Sequence, residues 1–143
     1  MSTISFTASD VRPLPGYLSR RIEAAEAIYT GEGVYLNSSG EGASTAAGGS
    51  LTAAAYGLCV AVEDGGTVAA DGINMDVVYS GAVTGYSGMT PGLPVFVAAT
   101  AGLLTQDTPS AGSYVFQMGT AESTSIILVN MSYSNPLVAK GAH

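Results

Sequence analysis

The sequence predicts an all-β domain, a small barrel or sandwich, preceded by an extended N-terminal arm. Three observations lead there. Apolar runs of about six residues recur with turn residues every 8–12 positions, the punctuation of short antiparallel strands. Glycine is abundant, at 19 of 143 residues, and falls between those runs rather than inside a helical period. Charge is sparse and unevenly placed: charged residues make up 10% of the chain, well below the roughly 25% of an ordinary globular protein.

The arm comes first. Residues 1–21 begin with the alternating Ile4-Ser5-Phe6-Thr7. Pro13 and Pro15 then disfavour regular pairing and favour extended chain. Ser19 to Ile28 is the one stretch with any helical character, although a strand starting near Ala27 fits as well. Residues 22–143 form the β-domain and a short C-terminal tail. Gly33–Asn37 reads as a strand and residues 40–50 as a flexible loop. Ala55–Val62 is a strand closed by Glu63-Asp64-Gly65-Gly66, a hairpin turn from which Thr67–Ala70 pairs back. Ile73–Tyr79 is β-branched and aromatic. Gly81, Gly85, Gly88, Pro91 and Gly92 mark a turn-rich crossing. Leu93–Val97 follows, with Pro94 expected at a strand start or edge. Leu103–Thr105, Ser113–Met118 and Ser125–Met131 complete the strands.

The charges divide the chain in two. Arg12, Arg20 and Arg21 lie in the arm, and no Lys or Arg occurs from Ile22 to Ala139. Ten of the eleven acids lie in that cation-free stretch, and the net charge is −7. A body without cations cannot neutralise phosphates, which argues against nucleic acid and against an anionic membrane. No apolar run reaches the 18 or so residues of a membrane helix. A chain so poor in charge tends to expose apolar patches, which points to self-association or docking.

Catalytic equipment is thin. His143 is the sole histidine and the last residue. That removes Ser-His-Asp and Cys-His arrangements and the usual zinc sites. The body has no lysine for a Schiff base and no arginine for an anion clamp. Glu63-Asp64, Asp71 and Asp76 could supply a carboxylate pair for glycoside cleavage, and the run Asp71 to Asp76 could hold calcium through oxygen ligands. The turn sequences Glu63-Asp64-Gly65-Gly66 and Asp71-Gly72 favour solvated turn residues instead. Cys59, the only cysteine, reads as a small core residue. The tyrosines could stack a sugar or base, but at strand positions they more often pack. No enzyme activity, cofactor or metal is expected.

The C-terminal half carries a resemblance. It runs Pro91-Gly92-Leu93-Pro94-Val95-Phe96-Val97, Ala101-Gly102-Leu103-Leu104-Thr105, Pro109 to Ala121 and Ile126-Ile127-Leu128. This grammar of glycine, aromatic strand, Gly-Leu-Leu-Thr, Pro-x-x-Gly and strand resembles the small β-domain of tailed-phage capsid decoration (cement) proteins, over roughly residues 27–131. The resemblance implies a β-tulip-like fold and a structural virion role on the outer capsid surface, after synthesis in the host cytoplasm. It implies homotrimers that bridge major capsid subunits and stabilise the expanded head. In several such proteins an N-terminal arm orders as a strand on the capsid. By that analogy the arm would dock through Ile4, Phe6, Arg12, Leu14, Tyr17, Arg20 and Arg21. Deleting it would leave a folded domain, and trypsin would clip the free protein at Arg20 or Arg21. Similar grammar occurs in phage tail-fibre, spike and baseplate modules, where a longer surrounding chain is expected. A carbohydrate-binding domain is the alternative from another class, and the lack of tryptophan weighs against it.

Overall fold

The computed structural model describes residues 3–107, 114–130 and 137–139. The fold is nearly all β, built on one curled, half-barrel sheet. Among the described residues a four-residue helical turn, Ser50–Ala53, and a three-residue 3-10 turn, Ala8–Asp10, interrupt it.

The axis of the molecule is one long strand, Asn74–Thr84. It is the ninth of fifteen strands among the described residues, so we call it β9. β3 (Leu18–Glu23) and β7 (Gly57–Val62) flank its first half. β2 (Arg12–Pro13) and β14 (Ile126–Asn130) flank its second half. Val77 pairs with both Arg20 and Cys59, Ser80 with both Leu18 and Asn130, and Val83 with both Pro13 and Ile127. A strand has two edges, so β2 and β3 run in tandem along one, and β7 and β14 in tandem along the other.

The sheet therefore divides at the middle of β9. The N-terminal half runs β3, β9, β7, β5 (Gly33–Leu36), β6 (Gly42–Ser44). It curls back on itself: Ala24 bridges Gly42, and the Ala25 N–H donates to the Gly42 carbonyl at 2.8 Å. The C-terminal half runs β2, β9, β14, β13 (Tyr114–Ala121), β11 (Pro94–Val97), β12 (Leu104–Thr105). Leu137–Ala139, β15, adds to the other end of β13.

Two cores result. The smaller lies inside the curl and holds Ile28, Val34, Cys59, Val62, Met75 and Val77. The larger lies between the outside of the curl and the inner face of the C-terminal half. It gathers Leu58, Val60, Val78, Val83, Val95, Val97, Phe116, Met118, Ile127 and Val129. Side chains alternate along a strand. Leu58 thus enters one core and Cys59 the other, and Val78 and Val77 divide the same way. That two-sided burial explains why Gly57–Val62 is apolar throughout, whereas Ile126–Asn130, with one buried face, alternates.

The N-terminal segment is not a separate arm. The Ile4 N–H donates to the Leu104 carbonyl at 2.8 Å. β1 (Ser5–Phe6) pairs with β10 (Tyr86–Ser87), and Arg12–Pro13 pairs with Thr84 and Val83. The boundary expected after residue 21 falls inside β3. Proline was compatible because Pro13 sits in an outer strand, and the chain bulges through Pro15-Gly16-Tyr17 before pairing resumes at Leu18. Gly81 and Gly85 make this close approach possible. Both have positive φ, +123° and +111°, and both sit in or beside β9 rather than in a free turn. A Cβ on Gly81 would lie 2.7 Å from the Tyr17 Cα, and one on Gly85 would lie 2.6 Å from the Asp10 carbonyl oxygen.

Other expectations are revised in detail. Ser19–Ile28 is strand for most of its length, not helix. Residues 40–50 include β6, a member of the main sheet. Val68–Ala69, β8, pairs with β4 (Ile28–Tyr29) and not back on β7. The turn at Asp64-Gly65-Gly66 forms as expected: the Gly65 N–H donates to Val62 and the Gly66 N–H to the Asp64 carboxylate. Pro94 opens its strand.

Candidate docking surface

The seven residues expected to dock separate into two groups. Ile4 is 6% exposed within the larger core. Phe6 packs against that core and meets Tyr86 edge-on, with ring centroids 5.6 Å apart. Tyr86 is itself fixed, because its hydroxyl donates to the Gly31 carbonyl at 2.8 Å. Ile4 and Phe6 are therefore committed to the fold. Leu14 is half-buried, its N–H donating to the Ala82 carbonyl at 2.8 Å. Arg12, Tyr17, Arg20 and Arg21 are exposed.

These exposed residues lie on β2 and β3 or the bulge between them, so three of the chain's four cationic side chains share one edge of the sheet. Among the described residues nothing pairs with the outer edge of β3 from Leu18 to Ile22. Arg21 forms an ion pair with Asp76 across the ladder, Nε to Oδ1 at 3.1 Å, and that bond first, then the Asp76 charge, raises its pKa. Arg12 and Arg20 form no ion pair among the described residues. Arg12 also borders a shallow cavity of about 380 Å³ shared with Asp10, Phe6, Thr84 and Ser125.

Next to this edge lies the outer face of the C-terminal half. Register places Pro94, Thr120, Leu128 and Ala82 side by side on β11, β13, β14 and β9. Ile126 pairs with Thr84, and Leu18 and Asn130 both pair with Ser80. Leu128 is 44% exposed and Leu18 is 53% exposed. None of these positions is acidic. Charges border it, however: the Glu122 N–H donates to the Ile126 carbonyl at 2.8 Å, and Arg12 pairs with Thr84. Other acids lie farther off. Glu23 and Glu41 share a hydrogen bond that pushes the Glu23 carboxyl above its ordinary range, with their mutual charge acting the same way. Glu63 and Asp64 occupy the exposed turn after β7.

The sequence reading did not single out Leu18, Ile126 or Leu128. The signal was present in Ile126-Ile127-Leu128-Val129-Asn130, where the outward Leu128 stands at a position that alternation usually gives to a polar residue.

The chemical candidates are placed as follows. Asp76 is bonded to Arg21, and Asp71 lies in an exposed turn. Among the described residues no three His, Cys, Asp or Glu side chains are placed to hold a metal ion. Cys59 is buried, and desolvation pushes its thiol up to about 12, so it stays protonated and unreactive. Tyr56 and Tyr79 meet at 6.5 Å between ring centroids, and Tyr86 is buried. Comparison with family models, curated proteins and solved structures found no match.

Proposed function

We propose that the chain is a structural virion protein. It binds the outer surface of an expanded phage capsid, bridges major capsid subunits and stabilises the head, acting as a homotrimer and without catalysis. The observation that carries this reading is the one-sided surface. Exposed Arg12, Arg20 and Arg21 share a strand edge with Tyr17 and Leu18, while the rest of the chain is acidic. Such a molecule presents one orientation to a partner and repels it elsewhere, which gives register and on-rate. Because the N-terminal segment is already strand, its ordering cost of about 1–2 kcal/mol per residue is met during folding and not on docking. The resemblance of the Pro91–Leu128 grammar to cement proteins supplies the kind of partner.

The test is addition of purified protein to expanded, undecorated heads, read by co-sedimentation. Saturable, stoichiometric binding is expected. A double Arg12→Glu, Arg20→Glu variant should bind at least about tenfold more weakly, with an unchanged melting curve. No saturable binding, or binding to tails instead of heads, would overturn the capsid reading.

A further inference from the structure

A sheet edge with free backbone groups is a template for another strand, and folded proteins close or guard theirs. Here the two ends of the main sheet are closed among the described residues. Thr3 and Ile4 pair with β12, and Ala24 bridges β6, where the Glu26 carboxylate also accepts the Ser44 N–H. β2 is guarded by proline. The Leu14 N–H donates inward to the Ala82 carbonyl, so Pro13, one position earlier, falls where an N–H would face outward. β3 contains no proline and has no described partner on its outer side. We infer that this outer edge, Leu18 to Ile22, receives an extended, acid-bearing segment of a partner protein as an added strand. The inference rests on the docking role proposed above and names the chemistry of the segment that meets this edge.

The register gives the geometry. The Ala24 N–H donates to the Ile73 carbonyl at 2.9 Å, and pairing runs back residue by residue through Ile22 with Met75 and Arg20 with Val77. Bonded pairs alternate along an antiparallel ladder. Ile22 and Arg20 therefore turn their backbone groups toward β9, and Arg21 and Ser19 turn theirs outward. Side chains alternate between the two faces of the sheet. Arg20 shares one face with its partner Val77, and Arg21 shares the other with Asp76. A strand laid on this edge meets the outward N–H and C=O groups of Ser19 and Arg21. It also sets two successive side chains beside the two arginines, one on each face.

Charge decides what kind of strand fits. Positions 18–22 carry two arginines and no acid. Two carboxylates close by are already engaged: Asp76 with Arg21 at 3.1 Å, and Glu23, past the open stretch, with Glu41. Arg20 has no ion pair among the described residues. A second copy pairing edge to edge in antiparallel would set arginines against arginines, and like charges opposed on neighbouring strands are destabilising. A segment with acids at two successive positions answers both arginines, while its backbone closes the ladder.

The experiment titrates the isotope-labelled full chain with a capped peptide, Thr-Val-Glu-Asp-Val-Thr, and follows amide exchange residue by residue. The Arg20 and Ile22 amides should exchange slowly throughout. The Ser19 and Arg21 amides should exchange fast in the free chain and slowly at saturation, with an affinity in the millimolar range. A contact made by side chains alone would not protect them. Ser19→Pro removes an outward donor and keeps every arginine and the bonds to β9. It should weaken binding about three- to tenfold, the loss of a single hydrogen bond. Ser19→Ala, which keeps the donor, should bind like the native chain. If Ser19→Pro fails to fold, protection of Ser19 and Arg21 in the native chain decides alone. A control peptide, Thr-Val-Lys-Lys-Val-Thr, should not bind. No saturable binding, equal binding of both peptides, or binding that leaves Ser19 and Arg21 unprotected would each overturn the inference. No head is present in this assay, so its outcome and that of head binding are independent. A chain that binds heads but not the peptide keeps the capsid reading and loses the added strand.

Discussion

The two halves of the sheet use the same strand, β9, to different ends. In the N-terminal half both faces of β7 are covered, so its successive side chains, like Val77 and Val78 of β9, enter alternate cores. In the C-terminal half only the inner face is covered, so every second residue of β14 faces outward. Two-sided burial leaves side chains no task but packing. One-sided burial frees a row of positions for contact, and exposed Leu128 lies there. The N-terminal segment joins the halves: Ile4 and Val11 enter the larger core, Ala24 and Ile28 the smaller, and β2 and β3 line both halves of β9.

The strongest way to break this picture is to remove that segment. Deleting residues 1–21 strips β9 of β2 and most of β3, and takes Ile4 and Val11 from the larger core. We expect no cooperative unfolding transition by far-UV circular dichroism. The intact chain should resist trypsin at Arg20 and Arg21 under native conditions, because that backbone is paired with Val77 and Asp76 and cleavage requires local opening. A deletion variant that melts like the intact chain, or rapid native clipping, would restore the reading of a free arm.

The reason that segment was misread is physical. Its sequence holds two prolines and three exposed arginines, a local signature of extended, solvated chain. What overrides it is long-range. β9 supplies a full edge for it, and Gly81 and Gly85 remove the side chains that would hold it off. Those glycines look like turn markers in sequence, because positive φ serves a turn and a close crossing equally. Strands with local turns, such as Gly57–Val62 into Asp64-Gly65-Gly66, were legible, since their partners and punctuation are close in sequence. β8 was placed on the wrong partner because nothing local distinguishes β4 from β7 as its mate. The docking edge was legible as a cluster of arginines. The Leu128 face was not, because it is assembled from strands far apart in the chain.

A smaller effect sharpens the comparison between the cores. Met75 and Met118 are both fully buried, the first inside the curl and the second in the larger core. Truncating either to alanine should destabilise by about 2–5 kcal/mol. The curl is narrow, the Met75 terminal methyl standing where a Cβ on Gly42 would fall, and neighbouring Ile22 and Ile73 are only partly buried and can move inward. Met75→Ala should therefore fall near the low end and Met118→Ala near the high end. Urea denaturation of both variants decides the order. The reverse order would mean that the larger core collapses more readily than the curl.

The smallest effect concerns Glu32, which lies between Gly31, whose carbonyl anchors Tyr86, and β5. Burial holds its carboxyl above the ordinary 4.5. The Tyr29 N–H that it accepts at 2.9 Å opposes this, and the charge of Glu26 adds to it. The folded state thus keeps this proton to higher pH than the unfolded chain does. The resulting stability is complete below the unfolded value and is lost as pH rises through the folded one. Glu32→Gln keeps an oxygen for the Tyr29 N–H but cannot ionise. Relative to the native chain it should gain stability between acid and neutral pH, by less than about 1 kcal/mol because the carboxyl is partly solvated. Urea midpoints of both proteins on either side of the carboxylate range would measure that gain. A difference equal at both pH values would show that Glu32 acts through its hydrogen bond and packing alone, and that its carboxyl is as well solvated as the exposed acids on the same half.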